Sequence, residues 1–139
     1  MKVHEAMHRS ASWVDPDTLL PDIAARMRAE NVGALPVGEN DRLIGMVTDR
    51  DLVIRGLGGV GDPLQLTARN VMSEPVIYCN ANEDLEDAVR IMALKRIRRL
   101  PVIDEHRRMV GMLALGDVVA KAPASLSIET LRAVSAHHA

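Results

Sequence analysis

The sequence predicts a mixed α/β fold (α+β) in which two copies of a β-α-β-β-α unit are followed by a short C-terminal helix. Two observations lead to this prediction. Apolar runs of strand length alternate with segments whose apolar residues have helical spacing, and the stretch Gly45–Val53 recurs as Gly111–Val119. Each copy has about 60 residues, a size at which a separate core is marginal. The copies are therefore expected to pack on each other as an intramolecular pseudo-dimer.

The repeat is defined by pairs of matching residues. Asp51 matches Asp117 at a shift of 66, whereas Leu35 matches Leu100 at a shift of 65. One extra residue near Arg108, in the loop of the second copy, accounts for the difference. The period fits two small units better than a solenoid.

The composition excludes several classes of protein. Trp13 and Tyr78 are the only aromatic residues, and the formal net charge is −2, so binding of nucleic acid by stacking or by general electrostatic attraction is not expected. A single cysteine, Cys79, excludes an intrachain disulfide and a cysteine-based zinc site. No apolar run approaches the length of a membrane span. A cytoplasmic protein with no membrane partner is expected.

The first repeat is predicted to span residues 7–60, with residues 1–11 forming a polar lead-in. Its elements are a brief strand at 12–14, a helix at 18–30 that Asn31 ends, strands at 34–37 and 43–47 joined by a turn at 39–41, and a helix at 49–55 stopped by glycines. Apolar residues at helical spacing give the first helix its stripe: Leu20, Ile23, Ala24 and Met27.

A linker is predicted at residues 61–71, within a glycine-rich loop at 56–70, before a second repeat at 72–122. The second repeat repeats the pattern with strands at 76–79, 100–103 and 109–113, a helix that begins after a cap at 82–84, and a helix at 115–120. Pro123 ends that helix. The tail, residues 123–139, is expected to contain a helix at 127–136 with Ile128, Leu131 and Val134 on one side.

The corner between the second strand and second helix of the first copy has two interpretations. Thr48 and Asp51 have the spacing of a helix cap, in which each side chain bonds the backbone of the other residue. The same hydroxyl and carboxylate, one turn apart at a helix N-terminus, could instead hold a sugar diol. The residues alone favour the cap.

The duplicated pattern resembles the cystathionine-β-synthase-type domain, or CBS domain, in its tandem form, the Bateman module of the stand-alone bacterial kind. The resemblance rests on Leu35-Pro36-Val37 and Gly45-Met46-Val47-Thr48-Asp49-Arg50-Asp51, and on Leu100-Pro101-Val102 and Gly111-Met112-Leu113-Ala114-Leu115-Gly116-Asp117. It implies a regulatory protein rather than an enzyme. It also implies clefts for an adenosine-containing ligand (AMP, ADP, ATP, NAD or S-adenosylmethionine), with no required cofactor.

The resemblance also implies roles for particular residues. Thr48 and Asp51 would contact the ribose, and Arg98 and Arg99, just before the Leu-Pro of the opposite repeat, would contact phosphate. In the second cleft Asp117 remains and Arg50 could reach in. That cleft departs from the pattern, since Ala114 replaces the hydroxyl residue, and Gly33 and Ala34 replace the arginines. It is expected to be weaker, empty, or suited to an uncharged adenosyl group.

Trp13 could lie at the edge of a bound purine and Met46 could line the site, although core or interface packing is the simpler interpretation of each. No metal site is predicted, because His4, His8, His137 and His138 have no carboxylate or cysteine at ligand spacing beside them. The resemblance implies a homodimer with an unidentified protein partner. The alternatives are a dimeric scaffold that needs no ligand and, with no nucleophile–base pair in the sequence to support it, an enzyme.

Overall fold

A computed structural model describes residues 1–9, 12–74 and 76–135. Its elements, in chain order, are α1 (Val3–Ala6), α2 (Leu20–Glu30), β1 (Ala34–Glu39), β2 (Arg42–Thr48), α3 (Asp49–Asp51) with a π-helical continuation (Leu52–Leu57), a 3-10 turn (Pro63–Gln65), α4 (Ala68–Val71), β3 (Cys79–Asn80), α5 (Leu85–Lys95), β4 (Arg99–Ile103), β5 (Met109–Ala114), α6 (Leu115–Lys121) and α7 (Ala124–Ser135). The predicted mixed α+β fold, with two repeats and a C-terminal helix, is confirmed.

The elements form two compact units, one comprising Ser12–Val76 and the other Met1–Ala11 with Ile77–Ala139. Each unit has its own core, built from aliphatic residues, alanine and methionine, with Cys79 added in the second. No helix within the described ranges is long and apolar enough to cross a membrane.

In the unit Ser12–Val76, helix α2 lies over an antiparallel hairpin of β1 and β2. Leu20, Ile23 and Met27 are buried, but Ala24, assigned to the same stripe, is exposed. The helix begins at Leu20, two residues later than predicted, and ends at Asn31, whose left-handed φ of 54° closes it.

The predicted turn at residues 39–41 is the hairpin loop. Asn40 and Asp41 both have positive φ, 54° and 63°, as a two-residue hairpin turn with right-handed strand twist requires. The strand predicted at residues 12–14 is reduced to a single parallel bridge, in which Val14 N–H donates to the Pro36 carbonyl over 2.9 Å.

In the other unit, β3 pairs in parallel with β4, and β4 pairs antiparallel with β5. Helix α5 connects the two parallel strands, as the predicted β-α-β order requires. The first strand of the repeat is Cys79–Asn80, shorter and later than the predicted strand at 76–79.

Helix α7 packs on α5 and α6, but through a different face from the one predicted. Ser127, Thr130 and Val134 are buried, whereas Ile128 and Leu131 are exposed. The two hydroxyls are tolerated because each donates to a backbone carbonyl, Ser127 to Val118 over 3.0 Å and Thr130 to its own helix. The predicted Ala136 lies outside the described residues.

The largest correction concerns residues 1–9, which were expected to be a polar lead-in. They form the helical turn α1, and Val3 and Ala6 are fully buried in the core of the second repeat's unit. The turn α4, in a segment expected to be loop, has the matching position in the first repeat's unit, with Ala68 and Val71 buried. The boundaries predicted at 7–60, 61–71, 72–122 and 123–139 stay predictions.

Candidate functional site

The corner where β2 meets α3 contains the predicted helix cap, and that prediction is confirmed. The backbone N–H of Thr48 donates to Oδ2 of Asp51 over 2.9 Å, and the N–H of Asp51 donates to Oγ1 of Thr48 over 3.1 Å. Both residues are therefore held in one orientation by reciprocal bonds. The Thr48 hydroxyl keeps its proton for a further acceptor.

Asp51 is buried, with 8% of its surface exposed, yet only one of its carboxylate oxygens is hydrogen-bonded within the described part of the chain. The other oxygen, Oδ1, lies 4.0 Å from Arg55 Nε, which is beyond hydrogen-bond length. A buried carboxylate that has spare acceptor capacity is favourable for a hydroxyl donor from a ligand.

A basic residue lies one helical turn after each aspartate, four positions along the chain. It donates to the short helical turn, α4 or α1, that packs on the same unit's sheet. Arg55 Nη1 donates to the Met72 carbonyl over 3.1 Å, and Lys121 Nζ donates to the Ala6 carbonyl over 3.0 Å. These carbonyls lie at the ends of α4 and α1, where helical turns leave acceptors without an internal partner. The two repeats therefore share this contact as well as the aspartate.

The glycine in each repeated stretch, Gly45 or Gly111, lies where the chain that follows the turn α4 or α1 packs on the strand. A Cβ at Gly45 would lie 2.5 Å from Met72 Sδ, and a Cβ at Gly111 would lie 2.8 Å from Met7 Sδ and overlap the His8 carbonyl oxygen. The residues after α4 and α1 cross directly over the strands, so both positions favour glycine. The demand is stricter at Gly111, where the obstacle is a backbone carbonyl, than at Gly45, where it is a methionine side chain.

The second aspartate, Asp117, is buried to a similar degree, with 4% exposed, but both of its oxygens have partners. Oδ2 accepts from the Ala114 N–H over 2.8 Å, so half of the cap persists without a hydroxyl residue. Oδ1 lies 2.8 Å from Nε2 of His8. His8 was not among the residues predicted for this site. Extending the shift of 65 to the N-terminus, where Met7 then matches Met72, would have placed it there.

The three arginines predicted for the clefts are exposed. Arg98 and Arg99 lie where β4 begins; the Arg98 carbonyl accepts from the Leu115 N–H over 2.8 Å, and Arg99 pairs with Ala114. Arg50 is the second residue of α3. Their assignment to phosphate or to the second cleft stays a prediction.

Met46 and Trp13 lie at different places in the first repeat's unit. Met46 is two residues before Thr48 on β2, on the same face of the strand, and is half-buried. The Trp13 ring lies against Gly38, where a Cβ would be 2.9 Å from the ring, at the end of β1 away from Ala34, the residue that pairs with Thr48. These contacts show that Trp13 packs against β1. A role for Trp13 beside a purine stays a prediction.

Among residues 1–9, 12–74 and 76–135, no group of three or more histidine, cysteine or acidic side chains could hold a metal ion. His137 and His138 lie outside these ranges. Cys79 is buried, and loss of hydration raises the pKa of its thiol to about 12, which keeps it protonated and unreactive near neutral pH.

Two α+β repeats, each with a buried aspartate at a strand–helix corner, define a duplicated module. Residues 3–57 and 68–123 each match the CBS domain. The chain therefore belongs to the CBS domain family and carries two CBS domains in tandem, the arrangement of a Bateman module.

Similar proteins are known as sequences and as structures. Hypoxic response protein 1 of Mycobacterium tuberculosis is 34% identical over 131 residues, which are 94% of this chain and 91% of that protein. The CBS domain-containing protein YhcV of Bacillus subtilis is 40% identical over 116 residues, 84% of this chain and 81% of that protein.

The crystal structure of Hypoxic Response Protein I with two coordinated zinc ions matches with a TM-score of 0.81 at 35% identity, over 88% of this chain and 100% of that chain. CBSX2 in complex with AMP matches with a TM-score of 0.75 at 28% identity, over 92% of this chain and 98% of that chain. Proteins with a CBS pair typically bind adenosine ligands and regulate, and those made of CBS domains are generally not catalytic.

Proposed function

We propose that this protein is a regulatory module that binds an adenosine-containing ligand and signals by a change of conformation. The observation that supports this most directly is the buried carboxylate of Asp51, of which one oxygen is held by the helix cap while the other has no hydrogen bond in the described part of the chain. The similarity to a protein in complex with AMP supports the class of ligand.

In this proposal Asp51 and Thr48 hold the ribose. Oδ1 of Asp51 accepts a ribose hydroxyl, while the hydroxyl of Thr48, whose oxygen already accepts from the Asp51 N–H, donates its proton to a ribose oxygen. A charge-assisted hydrogen bond to a group shielded from water contributes about 1.5–3 kcal/mol. Met46, on the same face of β2, lines the position beside the sugar.

Arg98 and Arg99 would supply the phosphate contacts, because two guanidinium groups offer planar donors suited to phosphate oxygens. Trp13 would lie at the edge of the purine. At the second position Asp117, with Arg50 as the proposed cation, would take an adenosyl ligand more weakly, since Ala114 stands where the first repeat has the hydroxyl of Thr48.

Signalling in this proposal is a population shift. A ligand that binds one conformation of the module better than another raises the share of that conformation, and a protein partner recognises it. The ligand itself is one of AMP, ADP, ATP, NAD or S-adenosylmethionine, and the homodimer expected from the resemblance is part of the proposal.

Calorimetric titration with each of these five ligands tests the proposal. The wild-type protein should bind one of them saturably, and Asp51→Ala should weaken that binding by at least about tenfold, because one charge-assisted bond is lost. Asn70→Ala is the matched control, since it removes a similar cap, the bond from the Thr67 N–H to Asn70 Oδ1 over 2.9 Å, in the same unit. Unchanged affinity in Asp51→Ala would rule out the ribose assignment.

Arg99→Ala tests the phosphate assignment separately. The variant should bind ATP more weakly but adenosine unchanged, because adenosine carries no phosphate. Titrations of both ligands into both proteins give the comparison. An equal loss for the two ligands would contradict the phosphate role.

A second candidate function is a scaffold that associates without a ligand, and an exposed apolar groove on the first repeat's unit favours it. Leu20, Ala24, Leu52 and Leu57 contribute to its lining together with Pro63 and Leu64, and Leu57 is 70% exposed. Large exposed apolar patches mark interaction surfaces.

The resemblance implies a homodimer, and we propose that a second copy of the chain covers this groove. Leu57→Glu should then shift the protein from dimer to monomer in light scattering, while Leu94→Glu, at a leucine that is 74% exposed and lies outside the groove, should not. A dimer that survives Leu57→Glu would contradict this surface, and a wild-type monomer would contradict the dimer.

A further inference from the structure

His8 and Asp117 make a close side-chain contact in the second repeat's unit. At the equivalent aspartate of the first repeat, Asp51, a different cation, Arg55, lies beside the same oxygen, with its Nε 4.0 Å from Oδ1. Nε2 of His8 lies 2.8 Å from Oδ1 of Asp117. The carboxylate is almost fully buried and the histidine side chain is 65% exposed, so the imidazole covers the carboxylate from the solvent side.

The backbone holds His8 in this place. Its N–H donates to the Met112 carbonyl over 2.8 Å, and the Met112 N–H donates to the His8 carbonyl over 2.9 Å. Lys121 holds the backbone two residues earlier through its bond to the Ala6 carbonyl. Because the backbone is fixed, the imidazole loses the freedom of only two side-chain torsions when it contacts Oδ1. This small entropy cost favours a lasting contact.

The equivalent residue in the first repeat, at a shift of 65, is Ser73. Its N–H donates to the Met46 carbonyl over 2.8 Å, so the backbone follows a similar path beside β2. Within the described residues Ser73 makes no hydrogen bond to Asp51, and Oδ1 of Asp51 is 4.0 Å from the nearby Arg55. The two repeats thus differ in whether this acceptor is occupied.

We propose that His8 closes the second ligand position by occupying the carboxylate oxygen that a ribose hydroxyl would need. The inference rests on the proposed function, and it determines the order of binding: the position at Asp51 fills, while the position at Asp117 is open only when His8 leaves. Ser73 is then the residue that keeps the first position open. His8 acts as an occupancy-determining residue and contacts no ligand itself.

Adenosine is the probe for the test, because it carries no phosphate and so removes the difference between the arginines of one repeat and Gly33-Ala34 of the other. Ala114→Thr supplies the missing hydroxyl and should still bind one adenosine per chain in calorimetry. Adding His8→Ser to Ala114→Thr should raise the stoichiometry to two. His4→Ser, a histidine on the exposed side of α1, is the control and should change nothing.

The reciprocal substitution tests the same idea at the other repeat. Ser73→His should place an imidazole beside Asp51 and weaken adenosine binding at least about tenfold, as expected for loss of one charge-assisted bond. Unchanged affinity in Ser73→His would overturn the inference. So would two bound adenosines in Ala114→Thr alone or, if the wild-type protein binds one adenosine, still only one in the double variant.

These results separate the inference from the proposed function. A wild-type protein that binds no adenosine, with a double variant that binds one, would contradict the proposal for Asp51 and support the role of His8. No binding by either would overturn both. A cycle of His8→Ala, Asp117→Asn and their double variant in thermal unfolding tests the contact without ligand: non-additive shifts support it, and additive shifts overturn it.

Discussion

Gly111→Ala should destabilise the second repeat's unit, because the residues after α1 leave no room for a side chain on β5. A Cβ at this position would overlap the His8 carbonyl oxygen and lie 2.8 Å from Met7 Sδ and 3.3 Å from Met7 Cγ. The methionine can move, but the carbonyl is fixed by its bond to the Met112 N–H over 2.9 Å. Either the bridge opens or the strand shifts.

The magnitude follows from two opposing contributions. Forcing an extra methyl group into a packed site costs about 1–3 kcal/mol. Replacing glycine by alanine returns about 0.4–1 kcal/mol by restricting the unfolded chain. The free energy of unfolding should therefore fall by about 1–2 kcal/mol, and the melting temperature of a unit of this size by about 4–8 °C per kcal/mol.

Gly116→Ala is the matched control in the same unit. No atom lies within 4 Å of a Cβ at Gly116, which is in the first turn of α6, so alanine should stabilise the protein by about 0.5–1 kcal/mol. Urea unfolding followed by circular dichroism measures both variants. If Gly111→Ala is as stable as the wild type, or Gly116→Ala is less stable than it, the packing argument is wrong.

Three further predictions concern the same unit. Burial raises the pKa of the Cys79 thiol from 9.0 to about 12, so between these pH values the folded state keeps a proton that the unfolded state loses. The free energy of unfolding should therefore fall as pH rises from 9 to 12. Urea unfolding of Cys79→Ala over the same pH range should lack this contribution. Lys121→Met removes the donor to the Ala6 carbonyl, at 3.0 Å, and should cost about 1 kcal/mol in urea unfolding, whereas an equal stability would show that solvent replaces it. Ser127→Ala, which removes a buried bond to the Val118 carbonyl, should cost a similar 1 kcal/mol or so in thermal unfolding, and no loss would contradict its part in docking α7.

Features that depend on neighbouring residues could be predicted from the sequence. The cap between Thr48 and Asp51 joins residues three positions apart, so their spacing alone brought them together. The hairpin loop at Asn40-Asp41 depends on residues that tolerate positive φ, and those residue types are visible in the sequence. The duplication likewise needed only the comparison of one stretch with another.

Contacts between distant parts of the chain required the tertiary structure. The sequence showed that Asp51 and Asp117 are equivalent, and it showed that Ala114 breaks the symmetry. It did not show that His8 covers one of these carboxylates, because the partner lies at the other end of the chain and is brought there by the burial of Val3 and Ala6. The contact depends on where a buried turn docks.

The amino-acid sequence was enough to predict two α+β repeats, the positions of their strand–helix corners, and the aspartate at each corner. The reason is physical: strand and helix periodicity and helix capping act over a few residues. The tertiary structure leaves Oδ1 of Asp51 without a hydrogen bond within the described residues, and it places His8 beside Oδ1 of Asp117. That depends on the packing of α1 and α4 over Gly111 and Gly45, and long-range packing has no fixed spacing in the sequence.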